Sequence, residues 1–350
     1  MFHSPRALVI ILFSSYAVGV AGKCSRAKTC STREAFDVSK DLEKYYSGTT
    51  GLQGQRLKTK LNSIIKGHKN YSYDCVWAAL ADVDADPNDS SKVIAFYSRR
   101  GVDILDRAGC TGSGSQSWNR EHVWAKSHGF KKQSQHAHTD FHHLFPSSVS
   151  INSDRSDRDF KEIAEKDRIP VTTSECDGCF KEGTNPKNGF FEPPDAVKGQ
   201  VARVMFYMAT RYEGGDRSTT DDLVLVDRKT DFPDNEFGIL SDLLRWHCEH
   251  PVEKRERDRN DNVQEWQGNR NPFIDRPEFV QTIWGDEFPE AFVNCDSNPD
   301  ETDIETNPDE TNPDETNPDE TNTDETSTDE INPDETNSEQ VWINEFHYVS

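Results

Sequence analysis

Six of the chain's 11 histidines fall between His122 and His143, an enrichment that a purely structural stretch seldom needs. Two runs stand out within it, Trp118-Asn-Arg-Glu-His-Val-Trp124 and Asp140-Phe-His-His-Leu-Phe-Pro146, followed by Ser150-Ile-Asn-Ser-Asp-Arg155. Hydrolysis of a phosphodiester needs a base to deprotonate water, a divalent cation to neutralise the phosphate and the departing oxygen, and ligands hard enough to hold that cation. His122 is the right type for the base, because neutral imidazole takes up a proton near pH 7. Glu121 and Asn152 offer the oxygens that suit magnesium. A lone Glu-His pair is more often structural than catalytic. Its joint occurrence with the second run and with Asn152 reverses that expectation.

These residues need a particular local frame. Neighbours in an extended strand point to opposite faces, so Glu121 and His122 can converge only at a strand end or turn. Asn152 follows Leu144-Phe-Pro146 and a helix start at Ser147 or Ser148, which places its amide on the first turns of a helix. The implied unit is strand, strand, helix. His143 and Asp140 are expected to support the site by hydrogen bonding, with His142 turned toward the core. His136 and His138 could bind zinc together with His128 or His142, but a polar loop explains them more simply.

The three runs resemble the signature of the endonuclease I family of ββα-metal nucleases, also called His-Me finger nucleases. The similarity extends over residues 45 to 284, through 88–97, 198–203, 206–208 and 267–275. Carried over by motif position, the resemblance implies His122 as general base, with Glu121 and Asn152 as the protein ligands of a single metal. That metal is usually magnesium, with manganese or calcium as substitutes. It further implies cutting of DNA and RNA without sequence specificity, and products ending in 5′-phosphate and 3′-hydroxyl. Some members steady the transition state with an arginine. That segment does not align clearly here, which leaves Arg120, Arg155 and Arg158 as candidates. Two departures, His250 before Pro251 and Ala125 after Trp124, lie outside the proposed chemistry.

The remaining sequence surrounds this site with a secreted framework. Residues 1–22 read as a signal peptide, with Arg6, an apolar run from Ala7 to Val20, and small residues for cleavage. All 8 cysteines follow it, an even number entering a compartment where disulfides persist. Cys176-Asp-Gly-Cys179 has no second CxxC to complete a zinc site, so a disulfide loop is expected. No later stretch is long and apolar enough to span a bilayer, and the mature chain is expected to be an extracellular monomer. Asn70 and Asn88 match the glycosylation pattern.

From Asp296 onward there are 19 acidic residues and no Lys or Arg, so of the formal charge of −23 only −4 belongs to residues 1–295. That near-neutral body carries three basic clusters (Arg56, Lys58, Lys60, Lys66 and Lys69; Arg99 and Arg100; Lys126, Lys131 and Lys132), and local patches rather than net charge govern phosphate binding. The tail repeats Asn-Pro-Asp-Glu-Thr from Asn298, a polar tract expected to form a disordered spacer over 296–340. Residues 341–350 then resemble the opening strand of a lamin-tail domain.

Between these ends, residues 23–295 form the expected catalytic domain. Apolar spacing predicts two helices within 36–66, a strand over 92–98, a helix over 195–212 capped by Asp195, and a helix over 237–247. The fold class is therefore α+β: a largely helical body around a ββα finger with a small sheet. Two rival functions are a catalytically idle nucleic-acid-binding protein on the same fold and a zinc hydrolase built on the histidine cluster. No P-loop, nucleophile elbow or HExxH run points to another reaction.

Overall fold

The computed structural model describes Cys30 and residues 41–171, 176–185, 189–215, 217–231, 233–293 and 295. The expected signal peptide, acidic repeat and terminal strand lie outside these residues. Among the described residues no helix is long and apolar enough to cross a membrane.

The body is α+β, as expected. Its central helix, Asp195–Arg211, is buried along nearly its whole length and packs against the helices Gly54–Ile65 and Leu240–Glu249. Val201, Met205 and Met208 carry the apolar stripe into the main core. Asp195 is the first helical residue rather than the cap, a role taken by the backbone of Pro194. Its carboxylate instead lies in the first turn, where the helix dipole favours negative charge, and sits 2.8 Å from the Lys198 ammonium. Gly199 is required by close packing, since a Cβ there would lie 2.4 Å from the carbonyl oxygen of His250.

Two other predicted elements have shifted bounds. The helix expected from residue 237 begins at Leu240, because Phe237 pairs with Leu225 in a short parallel strand. The strand expected over 92–98 runs from Asp89 to Ile94 and pairs with Gly101–Asp103. The chain then turns, and the Phe96 amide donates to the carbonyl of Pro146 at 2.7 Å, tying this region to the finger.

The finger itself is a strand Trp118–His122 paired antiparallel with Leu144–Ser148, in register from Trp118 opposite Ser148 to His122 opposite Leu144. The helix Val149–Arg155 follows at once, its first turn capped by the Ser148 hydroxyl, which accepts from the Ile151 amide at 3.4 Å. The intervening loop carries the clustered histidines. Behind it lies a helix that the sequence reading did not anticipate, Lys254–Gln267, whose inward side chains include Glu256, Arg259, Asn260, Gln264 and Gln267.

Disulfides join Cys30 to Cys75, Cys176 to Cys179 and Cys248 to Cys295. Cys110 is also disulfide-bonded. The Cys176–Cys179 loop is the one expected. Among the described residues no cysteine is free.

Candidate active site

The finger ends where its first strand ends, and Glu121, His122 and Asn152 line one cleft of about 430 Å³ there, with Tyr73, Trp77, Asn119, Arg120, Lys126 and Arg155 among its other walls. The strand terminus thus resolves the problem of neighbouring side chains pointing apart. Three residues separated by up to a few dozen positions reach one space.

Each has a partner that fixes its chemical form. The His122 Nε2 lies 3.1 Å from the carbonyl oxygen of His138. A carbonyl only accepts, so Nε2 carries the proton and Nδ1 keeps the lone pair that a base needs. Burial pushes the His122 pKa well below its usual value, and the nearby His143 and His138 add to that. The imidazole is therefore neutral at physiological pH.

Glu121 is only 1% exposed. Its Oε1 accepts from the Tyr97 hydroxyl at 2.8 Å and lies 3.7 Å from Nε of Arg155. Burial raises its pKa to about 7, although Arg155 and Tyr97 oppose the rise. Its charge is thus incompletely compensated by protein, and a cation would supply what is missing. The Asn152 amide nitrogen donates to Asn119 Oδ1 at 2.8 Å and approaches the carbonyl of Arg120 at 3.4 Å. Both partners are acceptors, so Oδ1 of Asn152 is the atom left over. One carboxylate and one amide oxygen on the same cleft fit a hard divalent cation.

The three candidate arginines occupy different environments. Arg155 is buried and donates to the carbonyls of His122 at 3.2 Å and Ser156 at 3.0 Å, and also to that of Val123. It clamps the backbone just past the strand end while also lining the cleft. Arg158, also buried, donates to the carbonyls of Asp154, Gly183 and Thr184. Arg120 is half-buried and stacked on aromatic rings, with its guanidinium 3.4 Å from the Tyr73 ring centre and 4.2 Å from that of Trp77. Its one hydrogen bond goes to the Tyr73 carbonyl.

His143 and Asp140 stand behind the site. His143 stacks obliquely near His122, with ring centres 5.4 Å apart, and its Nε2 lies 2.6 Å from the Ala137 carbonyl. Asp140 is fully buried and organises the loop: it accepts from Tyr207 and Tyr212, each at 2.8 Å, from Gln267 at 2.9 Å, and from the His142 amide at 3.0 Å. Burial alone would raise its pKa, but His68, His142, His143 and Gln267 outweigh burial and hold the carboxyl below the usual range.

Three other histidines of the cluster contact backbone carbonyls. His128 lies 2.9 Å from the Glu236 carbonyl, His138 3.1 Å from that of Phe130, and His142 3.1 Å from that of Asn269. Among the described residues no group of three or more His, Cys, Asp or Glu is placed to hold a metal. The zinc arrangement considered from sequence is not assembled.

Sequence reasoning assigned no role to Tyr97, Asn119 or the His138 carbonyl, yet these fix the carboxylate, the amide and the imidazole. Asn119 lay inside the quoted run, one residue from Arg120, and a polar residue at that strand position was the available signal. Nothing in the sequence marks a backbone carbonyl.

Comparison with known proteins matches the Endonuclease I family over residues 53–278. An extracellular ribonuclease of Bacillus amyloliquefaciens is 40% identical over 274 residues, covering 78% of this chain and 89% of the relative. An extracellular ribonuclease of Bacillus subtilis (strain 168) is 42% identical over 245 residues, covering 70% of this chain and 79% of that protein. An extracellular deoxyribonuclease of Aeromonas hydrophila is 29% identical over 140 residues, 39% of this chain and 49% of its own. The finger, the cleft it opens on and the extent of these matches agree: the chain belongs to the endonuclease I family.

Proposed function

We propose that this protein is a secreted, magnesium-dependent nuclease that cuts DNA and RNA without sequence specificity. The observation that carries this reading is the pairing of His122 Nε2 with the His138 carbonyl, which leaves a neutral imidazole with its basic nitrogen free in a cleft shared with Glu121 and Asn152. Secretion is supported by the disulfides and by relatives that are themselves named extracellular.

In this reading His122 takes the proton from the attacking water, and the His138 carbonyl keeps the ring oriented as positive charge develops. Glu121 Oε2 and Asn152 Oδ1 would hold the cation, with water and phosphate oxygens completing its shell; manganese or calcium could replace magnesium there. When bound, the cation supplies charge neutralisation for the phosphate and the departing oxygen. Tyr97 and Asn119 orient the two ligand groups, and Arg155 holds the strand end on which base and carboxylate sit. Attack by water on the phosphorus, with departure of the 3′-oxygen, gives 5′-phosphate and 3′-hydroxyl ends.

Both substrates are expected because the chain is similar to relatives named for ribonuclease and for deoxyribonuclease activity. The test is cutting of supercoiled plasmid and of a long RNA by the disulfide-bonded protein in magnesium, compared with His122→Ala and with excess chelator. Loss of at least about two orders of magnitude in rate is expected for the alanine variant. Undiminished cutting by His122→Ala would sink the assignment, and ligatable product ends check that the bond from phosphorus to the 3′-oxygen is the one broken.

A further inference from the structure

One wall of the cleft carries Arg120, and a second cation, Arg107, lies against the same aromatic support. Trp77 lines that wall, and two guanidiniums lie against its ring, Arg120 at 4.2 Å and Arg107 at 4.7 Å from the ring centre. Trp77 is itself seated edge-on against the buried Trp118, with ring centres 4.9 Å apart. Arg107 is bridged through its backbone to Trp118, at the start of the strand that ends in His122. Its neighbour Ala108 lines the cleft. The two cations are thus placed by the same strand that places the base.

Their electrostatic situation is unbalanced. Elsewhere in the described body, guanidiniums that are more deeply buried are answered by carboxylates, as Arg203 is by Glu256, Arg259 by Asp84 and Arg270 by Asp275, or by backbone carbonyls, as Arg155 and Arg158 are. Neither Arg107 nor Arg120 has a carboxylate within ion-pair distance among the described residues, and the side chain of Arg107 makes no hydrogen bond there. Both are partly buried, which lowers both pKa values; Asp74 partly offsets this for each, while Arg107 adds repulsion at Arg120. Two like charges held close on an aromatic support, with most donors uncommitted, are arranged for an anion. A guanidinium fork recognises a phosphodiester through paired N–H donors.

We propose that Arg107, seated on Trp77 beside Arg120, forms a second phosphate subsite that binds the phosphodiester flanking the one being cut. The subsite rests on the nuclease reading for the identity of its ligand. It gives the protein a grip on the nucleic-acid strand that is independent of base sequence, because only backbone phosphate is contacted. Arg107 then contributes to binding along the strand, and His122 with its partners contributes to the reaction.

The experiment measures binding of a short fluorescein-labelled single-stranded oligonucleotide by anisotropy, across a range of salt concentrations, in the His122→Ala background so that the probe survives. Arg107→Gln in that background is expected to weaken binding about five-fold at moderate salt and to flatten the slope of log K against log salt by about 0.7, the contribution of one phosphate contact on a single strand. Arg107→Lys keeps the charge and should keep the slope. Circular dichroism melts verify that the half-exposed substitution leaves the fold intact. In the His122-intact protein, Arg107→Gln should raise KM for the oligonucleotide with kcat little changed.

Unchanged affinity and slope in Arg107→Gln would overturn the subsite, as would a fall in kcat with KM constant. The nuclease reading fails separately: an intact protein that binds the probe through Arg107 but does not cut it in magnesium keeps the subsite and loses the catalysis.

Discussion

Asn152 can offer a ligand oxygen only while Asn119 holds its nitrogen, and the two side chains meet at 2.8 Å across the finger. Truncating Asn119 to Ala leaves the Asn152 nitrogen only its longer, 3.4 Å contact with the Arg120 carbonyl, so the amide can turn either end toward the cleft. Partners that orient a metal ligand are commonly worth ten- to a hundred-fold in affinity or activity. Asn119→Ala is therefore expected to lower kcat/KM by about that factor and to raise the magnesium concentration for half-maximal rate, while the half-exposed position costs less than about 1 kcal/mol of stability. Asn119→Asp retains an acceptor and should recover part of the loss; a magnesium titration of cleavage compares all three. Tyr97→Phe acts on the other ligand. Removing the 2.8 Å hydrogen bond to Glu121 takes away one of the groups opposing the burial-driven rise of its pKa, so magnesium should again bind more weakly. That Glu121, His122 and Asn152 line one cleft was legible because their types announce chemistry. Asn119 and Tyr97 were not, because a side chain that orients another is identified by register across strands, and no spacing along the chain encodes it.

The helix Lys254–Gln267 shows the same limit at the level of an element. Its buried residues, Glu256, Arg259, Asn260, Val263, Gln264, Trp266 and Gln267, follow helical spacing, but five of the seven are polar. A search for apolar stripes passes over such a helix, since the periodicity is in hydrogen-bonding groups. By contrast the central helix, with Val201, Met205 and Met208 inward, was readable nearly to its ends. The polar helix is held by ion pairs instead: Arg203 meets Glu256 with both side chains 1% exposed, and Arg259 meets Asp84 at 2.7 Å. Removing one partner from a buried pair leaves an uncompensated charge, at a cost of roughly 3 to 5 kcal/mol. Glu256→Gln is expected to fall in that range by urea denaturation. It also weakens a capping bond, since Glu256 accepts from the Glu253 amide at 3.3 Å. The double variant Arg203→Met with Glu256→Leu should recover much of the loss, because neither charge then remains buried. If the single and double variants are equally destabilised, packing rather than charge compensation governs this helix.

At the scale of the whole molecule, buried histidines both inside and outside the 122–143 cluster make the fold sensitive to acid. Among the described histidines, His122 alone lines the cleft. His68, His142 and His247 are buried elsewhere, and burial pushes their pKa values down to about 4, about 3 and about 3 respectively. In the unfolded chain each would titrate near 6.5. Between those limits the unfolded state binds protons that the folded state refuses, so stability is full above about pH 7 and declines as pH falls through 6.5 toward 4. Each site contributes up to about 2 kcal/mol of loss by pH 5, and three together reach the scale of a typical domain's entire stability. His68 and His142 both face Asp140 and titrate as a coupled set, whereas His247 stands apart, its Nε2 3.1 Å from the Pro277 carbonyl. It therefore gives the cleaner measurement. Thermal melts of the disulfide-bonded protein between pH 7.5 and 5 should show a falling midpoint, and His247→Gln should be less stable at pH 7.5 yet lose less on acidification. A midpoint that stays level to pH 5 would mean that these imidazoles gain compensating contacts when protonated, and that burial is not what controls the acid limb.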